Sequence, residues 1–184
     1  MGIQVDTLNS AKTEAINKLN DLSRELAAFS FPEIKIVSFN VNNFSVDHVI
    51  SQISKILARN DYIYIFKTCG QNRDNRKFRN ELLKAKKTQE KGEKDFPKVN
   101  EANKGTQYLY VGRSHKLKNR IRQHLDDGYK GTYAMHMKRW CDSLNETVEI
   151  LYFELEDKDN LLVQAVEDAL WDKLRPCFGR KGDK

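Results

Sequence analysis

Cysteine is scarce in this chain of 184 residues: Cys69, Cys141 and Cys177 stand far apart, with no CxxC and no paired histidine spacing. That excludes a disulfide framework and a zinc ribbon, and leaves ordinary reduced thiols. Proline is equally sparse, at three residues, and no low-complexity tract or internal repeat is visible. No apolar run approaches the roughly 20 residues that cross a bilayer, so no membrane partner is expected. The opening stretch MGIQVDTLNS has no basic n-region and no apolar h-region, and Asp6 sits where a myristoylation signal wants Ser or Thr. A cytoplasmic protein is expected, of a length that suits one domain with an appended arm.

What the chain does have is positive charge in one place. Its formal net charge is +6. Twelve Lys and Arg against six Asp and Glu fall between Lys67 and Lys104, a difference of +6 that accounts for the whole excess. Such a block attracts polyanions by counterion release, nucleic acid foremost; the alternative is a solvated insertion.

Around this block the order reads helix, strand, helix, strand, insertion, strand, two helices, strand, helix. Ala15, Leu19, Leu22, Leu26 and Phe29 recur at helical spacing over residues 7–29 and are expected to pack on the core. A strand at 34–39 and a helix from Ser45 or Asp47 to about Arg59 follow. Strands are expected at 62–67, 107–112 and 147–155. Helices are expected at about 74–90, 115–125, 132–143 and 160–174, with Ser114 and Asp159 as caps of the second and last. The fold class is therefore α/β (α+β): a three-stranded, mainly antiparallel sheet flanked by helices. Residues 1–60 form an N-terminal helix-strand-helix arm, and 61–184 a domain carrying the basic insertion 68–104.

Within YLYVGRSHKLKNRIRQH, residues 108–124, Leu117, Ile121 and Leu125 make the core-facing stripe of a helix, and Arg120 and His124 lie four apart in the neighbouring row. A guanidinium fork suits phosphate oxygens and a histidine can donate or carry a proton. Taken alone, a basic surface face explains this pair as well.

The wider register resembles the GIY-YIG nuclease family, small restriction enzymes of that family in particular. Tyr110, Val111 and Gly112 look like YIG, followed by the basic Arg113, with Arg120 and His124 ten and fourteen residues beyond Tyr110. YIYIFK at 62–67 resembles the first half, with Tyr64 as the GIY tyrosine, and Glu167 stands nine residues before Pro176 where the family has its metal-binding glutamate. Three departures are visible: Tyr62 replaces the first glycine, the insertion separates the two halves, and Gly179 replaces an asparagine.

The resemblance implies a metal-dependent endonuclease acting on double-stranded DNA, with a restriction-like, site-specific role. Tyr64, Tyr110, Arg120, His124 and Glu167 would be catalytic, with Tyr64 as general base beside positive charge. Glu167 would hold Mg²⁺, with Mn²⁺ as a substitute. Arg113, Lys77, Arg79, Lys84, Lys86 and Lys87 are the candidate phosphate contacts. A one-site nuclease that must cut both strands admits a homodimer. The alternative, prompted by Gly179, is a non-catalytic DNA- or RNA-binding protein on the same fold; a third is an adaptor whose N-terminal helices dock a partner protein.

Overall fold

The computed structural model describes residues 4–57, 59–69, 74–89, 96–126 and 133–182. Strands rich in aromatic and β-branched residues build a fully antiparallel sheet among the described residues: β1 (Lys35–Asn40), β2 (Asp61–Cys69), β3 (Tyr108–Ser114) and β4 (Thr147–Leu155), in the order β1-β4-β2-β3. The expected three strands are thus four, because the strand assigned to the arm pairs with β4 from Lys35↔Tyr152 to Asn40↔Thr147. Val37 and Phe39 point inward and supply the burial that holds it there.

β2 is central and buried on both faces. One face, carrying Tyr62, Tyr64, Phe66, Ile150 and Tyr152, packs in the main core with α2 (Val46–Gln52), α3 (Arg76–Lys87) and α4 (Leu117–Leu125). The other, carrying Ile63, Phe153 and Leu155, is covered by Leu162, Val163 and Val166 of α5 (Asn160–Leu174). Asp159 caps α5 as expected, its carboxylate accepting from the Leu161 amide at 2.7 Å.

Several elements depart from the sequence reading. α1 (Val5–Ala28) buries no residue; Leu22, with Phe29 just beyond the helix, leans on the smaller cluster, while Leu19 and Leu26 stay exposed. α2 ends at Gln52, well before Arg59. Ser114 does not cap α4: it ends β3, its hydroxyl accepts from the Lys116 amide at 3.0 Å, and the helix begins at Leu117.

Over the described part of 132–143 there is only a 3₁₀ turn at Met137–Arg139. His136 takes a left-handed φ of 48° there. Tertiary bonds take the place of helical ones: the Met135 amide donates to His124 Nδ1, and Trp140 Nε1 donates to the Met135 carbonyl at 2.7 Å.

The basic insertion packs into the fold. Phe78 and Leu82 of α3 are buried, Phe78 meeting the Trp140 ring edge-on at 6.3 Å. Asn75 anchors its start, donating to the Asn103 carbonyl at 3.1 Å and accepting from the Gly105 amide at 3.0 Å. Residues 70–73 and 90–95 of the insertion, and 127–131 of the DDGYKG loop, lie outside the described residues.

Candidate active site

Antiparallel pairing sets Tyr64 on β2 opposite Gly112 on β3. The ring of Tyr64 crosses that position: a Cβ on Gly112 would lie 2.6 Å from the Tyr64 hydroxyl and 2.9 Å from the Tyr110 ring. A glycine is therefore required for the two tyrosines to stack, which they do with rings 5° from parallel and centroids 6.1 Å apart. From α4, Arg120 closes the group. Its Nε donates to Tyr64 Oη at 3.2 Å, and its terminal nitrogens donate to Tyr110 Oη at 3.4 Å, to Gln123 Oε1 at 2.9 Å and to the Tyr133 carbonyl at 3.1 Å. Burial opposes the Arg120 charge, but the two phenols more than offset it, so the guanidinium stays protonated.

His124, one turn further along α4, is fully buried. Because the Met135 amide donates to its Nδ1 at 3.2 Å, the proton of the neutral ring belongs on Nε2, which donates to Tyr64 Oη at 3.1 Å. Burial, then Arg120 and His136, lower its pKa well below the ordinary value and keep it neutral. The Tyr64 oxygen thus accepts from two donors, which suits a phenolate. Burial nevertheless dominates and, with Tyr110, raises the Tyr64 pKa despite Arg120.

Glu167 reaches the same place from α5. Its carboxylate is largely buried and lies 3.3 Å from Arg113 Nε, while Arg113 also donates to Asn160 Oδ1 at 2.6 Å. Arg113 therefore braces Glu167 and the start of α5. Burial raises the Glu167 pKa to about 7 against the lowering effect of Arg113, with Asp168 and Asp61 adding to the rise.

Tyr110, Arg120 and Glu167 all line one cleft of about 480 Å³. Among the described residues Lys86, Lys98, Arg180 and Lys181 line it too, so cations outnumber the single carboxylate. Tyr64 and His124 stand behind this wall, Tyr64 only 1% exposed. Of the candidate phosphate contacts, the structure brings Lys86 to the cleft, its ammonium held at 3.0 Å by the Pro97 carbonyl and its pKa lowered by burial. Lys77 pairs with Glu146, Arg79 with Glu101, and Lys84 with Glu81; Lys87 is exposed, and none of these lines the cleft.

Lys98, Tyr133, Arg180 and Lys181 were not picked out in the sequence. For the last two a signal existed, since GRKG follows directly on the Pro176 motif. Gly179 also finds its reason here. Its φ is +94° and a Cβ would meet the Tyr110 ring at 2.8 Å, while its carbonyl and that of Pro176 both accept from Asn100 Nδ2 at 3.1 Å. Asparagine would not fit this turn without moving Tyr110.

The stretch 101–181 matches the family model of the GIY-YIG catalytic domain. These residues make up a GIY-YIG nuclease-family domain. The matched GIY-YIG segment holds Tyr110, Gly112, Arg120, His124 and Glu167; Tyr64 lies before it and joins it through β2–β3 pairing, across the insertion. No curated protein and no solved structure matches the chain. GIY-YIG nucleases generally depend on a divalent metal. Among the described residues no group of three or more His, Cys, Asp or Glu forms a cage. A lone carboxylate on a cleft fits a cation held chiefly by water and substrate oxygens, as Mg²⁺ prefers.

Proposed function

We propose that this GIY-YIG protein is a divalent-metal-dependent endonuclease that hydrolyses phosphodiester bonds of double-stranded DNA, in a site-specific, restriction-like manner. The observation that carries this reading is the meeting of Tyr110, Arg120 and Glu167 on one cation-lined cleft, with Tyr64 and His124 directly behind.

A scissile phosphate in that cleft would face the Arg120 guanidinium, whose fork can stabilise charge growing on its oxygens. Tyr64 is the proposed general base; it accepts a proton only as the phenolate, the form that His124 Nε2–H and Arg120 Nε–H would stabilise against the burial that disfavours it. Tyr110, whose hydroxyl Arg120 ties to the same group, is the phenol that lines the cleft. Glu167 would hold Mg²⁺ or Mn²⁺, and the ion would supply positive charge to offset the negative charge of the leaving group. Arg113, beside Glu167 and Asn160, would orient the Glu167 carboxylate. Lys86, Lys98 and Arg180 would grip flanking phosphates.

Supercoiled plasmid tests the reading. The wild-type protein nicks or linearises it with Mg²⁺ and not with EDTA, and Arg120→Ala or Glu167→Ala reduces cutting by about 10²-fold or more while retaining DNA binding. Undiminished Mg²⁺-dependent cutting by either variant rejects the assignment. A non-catalytic nucleic-acid binder on the same fold is the second reading, favoured by the missing asparagine at Gly179. Plasmid retarded but uncut with and without Mg²⁺ would establish it.

A further inference from the structure

Among the described residues, most large apolar side chains left in solvent fall before residue 37. Leu8, Ile16, Leu19 and Leu26 of α1 are exposed, and Phe31 and Ile36 continue the patch along the chain. Phe31 lies edge-on to Phe29 and to Phe153 of the sheet, so the apolar surface runs from the helix onto the sheet's β1 edge. Concentrated apolar exposure of this kind marks an interface.

α1 is 24 residues, about 36 Å at 1.5 Å per residue. Among the described residues it meets its own domain near its C-terminal end, through Leu22 and the Glu25–Lys158 pair at 3.1 Å, with Phe29 packing just beyond it. A helix with no buried residue draws its stability from an apolar face that something else covers.

The sequence of the face says what covers it. Positions 5, 8, 12, 15, 19, 22, 26 and 29 alternate at three and four residues, and only Lys12 is polar among them. Reversed about Asn17, the exposed part of this seam meets itself, Leu8 falling opposite Leu26 and Ala15 opposite Leu19, while Val5 and Lys12 fall opposite Phe29 and Leu22, which also lean on their own domain. A twofold interface needs that property, since one patch must serve both sides. Charge agrees. Lys12, Lys18 and Arg24 against Asp6, Glu14, Asp21 and Glu25 leave the helix at −1, a charge that does not favour an anionic membrane or nucleic acid and repels its own copy only weakly. Lys18 does approach its counterpart near the twofold, where its long stem lets the ammonium reach water.

We propose that α1 is a dimerisation element that pairs antiparallel with α1 of a second copy of this chain, each N-terminal half covering the exposed C-terminal seam and the Phe31–Ile36 surface of the other. The inference stands apart from the nuclease reading, because it is tested without nucleic acid.

The experiment is light scattering coupled to size exclusion on the full chain over a micromolar dilution series. It is run with the wild type, with Leu8→Glu/Leu19→Glu, and with Ile16→Cys under oxidising conditions. The wild type should elute at twice the chain mass and the double variant at the single mass, with near-UV circular dichroism reporting an intact domain. Ile16→Cys should form a covalent dimer that the wild type, which retains Cys69, does not. A monomeric wild type, or a double variant that remains dimeric, overturns the proposal. A dimer in which Ile16→Cys fails to cross-link overturns the antiparallel pairing.

Discussion

A Cβ at residue 112 would lie 2.6 Å from the Tyr64 hydroxyl, well inside contact distance, so Gly112→Ala must move a ring that Arg120 and His124 both hold. Overpacking of this kind costs about 1–3 kcal/mol. The expected result is a melting temperature lower by several degrees, with cutting lost by more than stability explains. Gly179→Asn, which restores the family's residue, should likewise lower the melting temperature and fail to raise activity, since its Cβ meets Tyr110 at a φ of +94°. Glu167 gives a pH test. Its folded pKa is raised to about 7 from 4.5, so the folded state binds the proton more tightly than the unfolded chain. Its contribution to stability is full below about pH 4.5 and is lost as pH rises through about 7. In metal-free buffer, Glu167→Gln should therefore flatten the decline in melting temperature between pH 5 and 8. If wild type and variant fall in parallel, the buried carboxylate is not the cause.

At the scale of elements, the inserted helix separates two pictures of how charge is presented. A mobile basic clamp would tolerate loss of its apolar residues. The structure instead buries Phe78 and Leu82 and fixes Asn75 to the loop carrying Asn103 and Gly105. Leu82→Ala should accordingly destabilise the whole domain by about 2–5 kcal/mol in chemical denaturation. A change under about 0.5 kcal/mol would mean that α3 is not part of the core. The same packing explains why four of the five cations assigned to this helix miss the cleft: they flank the apolar stripe, and acidic neighbours take Lys77, Arg79 and Lys84.

For the whole molecule, the charge excess is localised in the sequence, but only part of it faces the site. Lys86→Ala with Lys98→Ala should weaken DNA binding and reduce the salt slope by about one for each lost phosphate contact. Lys84→Ala with Lys87→Ala, remote from the cleft, should change the slope less. Equal effects from the two pairs would show that the outer face of α3 also binds nucleic acid.

The amino-acid sequence by itself determined what repeats along one element. Arg120 and His124 share a helix row because they are four apart, β2 is a run of aromatic and β-branched residues, β4 alternates as a half-buried strand does, and the glycine and tyrosine of YVG sit side by side on one strand. Partners from distant segments were decided by tertiary structure, because they depend on which surfaces burial brings together. Arg113, expected as a phosphate contact, pairs with Glu167 and Asn160. Residues 137–139 became a 3₁₀ turn where a longer helix was expected, since His124 and Trp140 hold the backbone of Met135. The strand at 35–40 entered the sheet from outside the expected domain, because an antiparallel edge beside β4 was open and Val37 and Phe39 gained burial there.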